Sequence, residues 1–392
     1  MNIKELDKKY IASTYNRFPV TAVSGKGSLI TDENGKQYID MGSGIGVTAF
    51  GIADEEWLAA VTKQASVLQH ASNLYYTEPC ARLAELLCEK TGMKKVFFSN
   101  SGAEANECAI KAARKYAQDK YGEQRHVIAT LAGSFHGRTL TTLAATGQDK
   151  FHKLFTPLTG GFVSFRAGQV EELKELNKNG DIAAVMIECI QGEGGVIPLE
   201  KAFVKELYEY CIENDILLIA DEVQTGNGRT GALYSYMNFG IVPDIVSTAK
   251  GLAGGLPMGA TMLGEKCENV FSFGDHGSTF GGNPVCAAAA INVISRIDEE
   301  LLSSVKRKSE YILSALKGAK GIKGVDGMGL MLGIRTERDA GEVIKECMEK
   351  GVLCLSAKDK VRLLPALNID DALLKKAIET IKQVCAGEEI SA

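Results

Sequence analysis

No run of the 392 residues is long and apolar enough to cross a bilayer, which takes about 20 apolar residues. The opening segment Met1–Lys9 is polar and charged and has no apolar signal-peptide core. Histidine is scarce, at five, and no H-E-x-x-H pattern occurs; the ten cysteines include no C-x-x-C pair. Those absences exclude the common zinc and dithiol signatures, and no metal is expected. Several cysteines, Cys108 and Cys286 among them, fall in apolar or helical stretches. They read as buried thiols of a chain that works in the reducing cytoplasm. There is no basic footprint either: the net charge is −5 with both signs interspersed, which argues against a nucleic-acid partner. Internal repeats and low-complexity blocks are also missing.

What is present is a large core. The 45% hydrophobic content is enough for one large domain and a smaller one. The 42 glycines, well above an average of about 7%, imply many tight turns. Residues 1–60 read as an arm and short strands that join the small domain. Within them, Gly27–Asp40 reads as a hairpin with an Asn34-Gly35 turn. Residues 61–284 read as the large domain. There, strand candidates at 95–99, 127–131, 183–188 and 216–220 alternate with helix candidates at 103–120 and 201–214. This alternation predicts an α/β fold: a mostly parallel sheet flanked by helices. Residues 285–392 read as a smaller α+β domain. It has one long helix, then strands near 330–335, 352–355 and 361–364, and a last helix from about Asp370.

Two apolar runs stop at charge. Ile216–Ala220 runs into Asp221, and Asp244–Thr248 leads to Lys250, 29 residues later. Runs of that length read as buried strands of a parallel sheet, and open α/β sheets place ligands beyond such strand ends. A lysine and an acid there are the two protein groups that pyridoxal 5'-phosphate (PLP) needs most. Further turns follow other strands. Ser99–Asn106 joins a strand to a helix, and its small residues suit either an anion site or an ordinary capped turn. Ala132–Thr139 gathers Phe135, His136 and Arg138: a ring to stack and a fork to clamp a carboxylate, or a core ring and a surface cation. Glu188–Gly195 holds Glu193 in a glycine-rich turn, and Gly277–Pro284 precedes a helix.

In this order, Asn100-Ser-Gly-Ala-Glu-Ala-Asn106, Ser134-Phe-His-Gly-Arg-Thr139, Asp221-Glu-Val-Gln-Thr-Gly-x-Gly-Arg-Thr-Gly231, Lys250-Gly251 and Ser278-Thr-Phe-Gly-Gly-Asn-Pro284 resemble the class III (ornithine-type) aminotransferases of PLP fold type I. The resemblance runs from Gly27 to about Arg362. The run Ser72–Pro79 and the compact length are most similar to the bacterial acetylornithine group of that class. The resemblance implies PLP as cofactor, N2-acetylornithine and 2-oxoglutarate as substrates, and a homodimer with shared sites. It implies Lys250 as the Schiff-base lysine and proton shuttle, and Asp221 as the partner of the pyridinium nitrogen. Val223 and Phe135 would sandwich the ring, and Gln224 would reach its phenolic oxygen. Gly102 and Ala103, with Ser101 beside them, would bind the phosphate. Ser278 and Thr279 would come from the partner subunit, Thr279 to the phosphate. Arg138 would hold the substrate α-carboxylate. Arg362 would take that of 2-oxoglutarate, with Glu193 pairing with Arg362 when the amino donor is bound.

Ile45 stands where ornithine-specific members of the class carry a tyrosine. It fits an acylated or simpler ω-amine, or else is plain core. Ile52–Trp57 replaces the usual histidine-proline turn, which leaves the donor open among acetylornithine, succinyldiaminopimelate, 4-aminobutyrate and ornithine. The set Arg138, Arg362 and Glu193 disfavours an aminomutase of the same fold, and intact Lys250 and Asp221 disfavour a non-catalytic regulator.

Overall fold

The computed structural model describes residues 1–387. Its centre is a seven-stranded sheet in the order Lys95–Ser99, Gly259–Leu263, Ile245–Thr248, Leu217–Asp221, Ile182–Ile187, Val127–Leu131 and Phe162–Phe165. Ile182–Ile187, Val127–Leu131 and Leu217–Asp221 are buried along their whole length. That is why they read as unbroken apolar runs rather than alternating ones. All neighbours pair in parallel except Gly259–Leu263, which runs antiparallel to both of its neighbours. This strand and Phe162–Phe165 lie outside the strands expected from the sequence. Gly-Ala-Thr-Met-Leu is too short and too mildly apolar to announce itself.

Helices cover the sheet. Gly102–Tyr121 buries Ala105, Cys108, Ala109, Ala112 and Ala113, an alanine face that lets the helix lie close to the strands. Lys201–Glu213 buries Phe203, Val204, Leu207 and Cys211. The expected long helix after residue 285 is two helices, Pro284–Ser295 and Glu299–Leu316. Asp298 breaks it by capping the second, accepting from Leu301 N–H at 2.9 Å.

Two smaller sheets complete the molecule. One holds Ala22–Lys26, Leu29–Asp32 and Gln37–Asp40, with Val352–Leu353 alongside Gln37–Asp40 in parallel. The other is antiparallel, in the order Ile322–Met328, Met331–Thr336, Lys360–Leu363, Leu355–Ala357. The single strand expected at 352–355 is therefore divided. The chain leaves one sheet at Leu353 and enters the other at Leu355. The N-terminal hairpin turns through the three-residue loop Glu33–Gly35, which contains the expected Asn34-Gly35, with Gly35 at φ 80. The ten cysteines are all free, seven of them buried, and no described helix is long and apolar enough to cross a membrane.

Candidate active site

The carboxyl ends of the parallel strands open on a cavity of about 420 Å³. Nine residues singled out from the sequence line it: Ser101, Gly102, Ala103, Phe135, Arg138, Asp221, Val223, Gln224 and Lys250. Others that sequence reasoning gave no role also line it, among them Val47, Asn100, Asn106, His136 and Glu188.

Asp221 is the last residue of its strand, not the first beyond it, and is almost wholly buried. Its Oδ2 accepts from Asn106 Nδ2 at 2.8 Å and lies 2.8 Å from His136 Nδ1. Its Oδ1 accepts from Val223 N–H at 3.0 Å. A carboxylate opposite Nδ1 calls for the proton on that nitrogen. Three donors hold the carboxylate in one orientation in a place where an unpaired charge would be costly.

Lys250 begins a short 3-10 turn, Lys250–Ala253, just after the strand Ile245–Thr248. Its φ of 46 lies in the left-handed region, at a cost of about 1–3 kcal/mol for a non-glycine residue. The side chain borders the cavity and makes no hydrogen bond or ion pair with a described residue. Burial lowers its ammonium pKa and Arg362 adds to the effect, against the pull of Glu193, Asp221 and Glu188.

Ser101 caps the helix Gly102–Tyr121, its Oγ accepting from Glu104 N–H at 3.2 Å. The N–H groups of Gly102 and Ala103 find no acceptor among the described residues. They are the free donors of a 20-residue helix, which is where a phosphate is held best. Gly102 admits no side chain, since a Cβ there would stand 2.6 Å from Val223 Cγ1. Phe135 forms the facing wall and meets Phe151 edge-on at 5.8 Å. The exposed Arg138 guanidinium lies 5.6 Å from the Phe135 ring centroid and 4.8 Å from that of Phe151.

A second polar group adjoins the first. Arg362, buried on the strand Lys360–Leu363, pairs with Glu193 and donates from Nη1 to Gln224 Oε1 at 3.1 Å. Gln224 Nε2 in turn donates to Glu193 Oε1 at 3.2 Å. Burial pushes the Glu193 carboxyl up, but Arg362, Lys250 and Gln224 outweigh it and leave its pKa below the usual value. Arg362 Nε is buried with no partner among the described residues. Glu188 ties the walls together: Oε1 accepts from Phe135 N–H at 2.8 Å and Oε2 from Gly192 N–H at 3.0 Å. Burial pushes its carboxyl up to about 7 against the pull of His136.

Besides Glu193 and Arg362, three residues singled out from the sequence lie outside the lining of this cavity. Thr279 is exposed. Ser278 accepts from Asn100 Nδ2 at 3.1 Å within its own chain, at the cavity's edge. Ile45 is 41% exposed in a left-handed turn, φ 68.

The residues present fit PLP. Free helix amides suit its phosphate, the donor-held Asp221 carboxylate suits a protonated ring nitrogen, and a desolvated lysine without a partner suits its aldehyde carbon. The comparisons agree. Residues 10–385 match the Aminotransferase class-III family. The chain belongs to the class III aminotransferases. An acetylornithine aminotransferase of Haemophilus ducreyi is 48% identical over 97% of this chain and 98% of the relative. One of Methanocaldococcus jannaschii is 42% identical over 97% of each. Among solved structures, the N-acetylornithine aminotransferase of Stenotrophomonas maltophilia superposes with a TM-score of 0.84 at 34% identity, covering 98% of each chain. The ornithine aminotransferase of Toxoplasma gondii, whose active site holds PLP in part, gives 0.93 at 30%, covering 98% of this chain and 94% of its own.

Proposed function

We propose that this class III enzyme is a PLP-dependent aminotransferase that moves the ω-amino group of N2-acetylornithine to 2-oxoglutarate. The products are N-acetylglutamate 5-semialdehyde and glutamate, a step of arginine biosynthesis. The carboxylate-masked guanidinium, Glu193 on Arg362 beside the Lys250 cavity, carries the reading. One site must take a donor through a distal amine and an acceptor through an α-carboxylate next to the reacting carbon. A glutamate that covers the arginine for the first and uncovers it for the second meets both needs. Support for the donor comes from the relatives named acetylornithine aminotransferase.

When bound, PLP supplies an electron sink for the electrons of the C–H bond beside the transferred amine. Asp221 would offer its charge to the ring nitrogen, and Asn106 and His136 keep it from turning away. Lys250 Nζ, with its lowered pKa, is suited to hold the proton taken from that carbon and to return it. Gly102 and Ala103 would hold the phosphate with Ser101 beside them, Val223 and Phe135 would bracket the ring, and Gln224 would reach its phenolic oxygen. Arg138, free at the mouth, grips the far carboxylate of either substrate.

We place the enzyme in the cytoplasm, where free thiols persist, and take it to be a homodimer. Thr279 would reach the partner's phosphate, with Ser278 and Ile45 at the shared mouth. In this reading Ile45 leaves room for an acylated donor.

Single-turnover bleaching of the visible absorbance of the PLP-loaded enzyme by each donor tests the function. N2-acetylornithine is expected to react fastest, ahead of ornithine, succinyldiaminopimelate and 4-aminobutyrate. A tenfold preference for any of the others, roughly 1.4 kcal/mol, would replace the donor assigned here.

A further inference from the structure

Trp57 is the one tryptophan of the chain, and it stands in the first turn of the helix Glu55–Ala65. Asp54 caps the helix Glu55–Ala65, its Oδ1 accepting from the Trp57 backbone N–H at 2.9 Å. Arg296, at the end of the helix Pro284–Ser295, grips Asp54 with both Nη atoms, Nη2 to Oδ2 at 3.0 Å, and lies over the Phe50 ring. The first turn of the Trp57 helix is thereby pinned.

From that anchor the indole crosses to the Lys250 turn, where Nε1 donates to the Ala253 carbonyl at 3.0 Å. Ala253 ends the turn that Lys250 begins. Its carbonyl also receives Leu256 N–H at 3.4 Å, and Leu256, Pro257 and Met258 form the next part of the cavity wall. The intervening Gly254 is shaped to the indole. At φ 61, a Cβ would stand 2.9 Å from Trp57 Nε1 and 3.0 Å from Val293 Cγ2. Lys250, at φ 46, holds a backbone conformation that a lysine keeps only when its surroundings impose it.

We propose that Trp57 is a positioning residue for Lys250: its indole N–H fixes the Ala253 carbonyl, and through it the turn that aims the lysine amine into the cavity. The proposal rests on the reading of Lys250 as the residue that bonds PLP. It assigns the effect to the N–H group and not to the bulk of the ring.

A single tryptophan makes a single-atom test practical. Biosynthetic replacement of tryptophan by 3-benzothienylalanine alters this position alone, keeps the ring's shape and puts sulfur where the N–H was. Trp57→Phe is the genetic counterpart. The readouts are the rate at which PLP loads the apoprotein, trapped by borohydride and located on Lys250 by peptide mass, together with kcat, KM and melting temperature. Loading and kcat should both fall about tenfold with KM little changed, as for a misaimed reacting group. Loading and kcat within about twofold of the natural protein would overturn the proposal and leave Trp57 as packing. If unaltered protein takes no PLP at Lys250, the cofactor reading fails and this one with it, a result the trapped peptide separates from the first.

Discussion

A lysine amine reacts with an aldehyde only when neutral, and the surroundings of Lys250 decide at what pH that happens. Burial lowers its pKa below the ordinary 10.5. The sign follows: the neutral fraction grows as pH rises through the lowered value, so PLP should load the apoprotein faster with rising pH and reach half its plateau rate below pH 10.5. Borohydride trapping across a pH series measures this. A midpoint at or above 10.5 would mean that the amine is not desolvated as the fold implies. Lys250 and Asp221 were legible in the sequence because each ends an apolar run, and a charge at the end of a buried strand needs a reason. Asn106, His136 and Glu188 were not. Each sits in a segment that reads well without it: Asn106 in an alanine-rich helix, His136 beside a more conspicuous ring, Glu188 at a strand end that looks like an ordinary boundary. Periodicity tells which way a side chain points. It does not tell which buried polar groups from separate segments meet around one carboxylate.

Elements whose residues agree with one another were read almost to the residue. Lys95–Ser99 and Val127–Leu131 are such cases. The misread ones were decided by contacts distant in sequence. The helix break at Arg296–Asp298 depends on Asp298 as a cap and on Arg296 turning to Asp54, 242 residues away. That contact sets an expectation for the helix Glu55–Ala65. Asp54→Ala removes both its cap and a bidentate partner of Arg296, and should cost about 2 kcal/mol in urea unfolding. Asp54→Asn keeps most of the cap and should cost less. The hydrogen bond from Arg296 leads in lowering the Asp54 pKa. A depressed carboxyl contributes stability above its unfolded value, near 3.8, and loses it as pH falls through the folded value. The gap between the natural protein and Asp54→Asn should therefore be full at neutral pH and close in acid. A gap that does not depend on pH would show that the charge of Asp54 adds nothing.

At the scale of the whole molecule, the site is assembled from different sheets. Glu193 follows the central sheet, whereas Arg362 lies on the small antiparallel sheet. Glu193→Ala leaves Arg362 buried without its carboxylate, so the site should favour a donor whose α-carboxylate replaces it. Single-turnover rates should shift toward glutamate and away from N2-acetylornithine, by about tenfold or more. Equal slowing of both donors would reduce Glu193 to a turn residue. The remaining surface argues for a second chain. Asn73 Nδ2 donates to Ser278 O at 2.8 Å and to Gly281 O at 3.0 Å, so the 72–76 and 278–281 segments form one face. That face leaves Leu74, Tyr75, Tyr76 and Phe280 open to solvent, an apolar surface of the sort that marks an interface. Thr279 lies exposed within it, outside its own chain's cavity. If it completes the partner's phosphate site, two dead variants should rescue each other. Lys250→Ala lacks the amine, and Thr279→Asp sets a negative charge against the phosphate. In a refolded equal mixture, half the dimers are hybrids, and each hybrid has one site with both an intact lysine and an intact threonine. About a quarter of natural activity should return. Activity no higher than the sum of the separate variants, with hybrids verified by mass, would place Thr279 outside the partner's site.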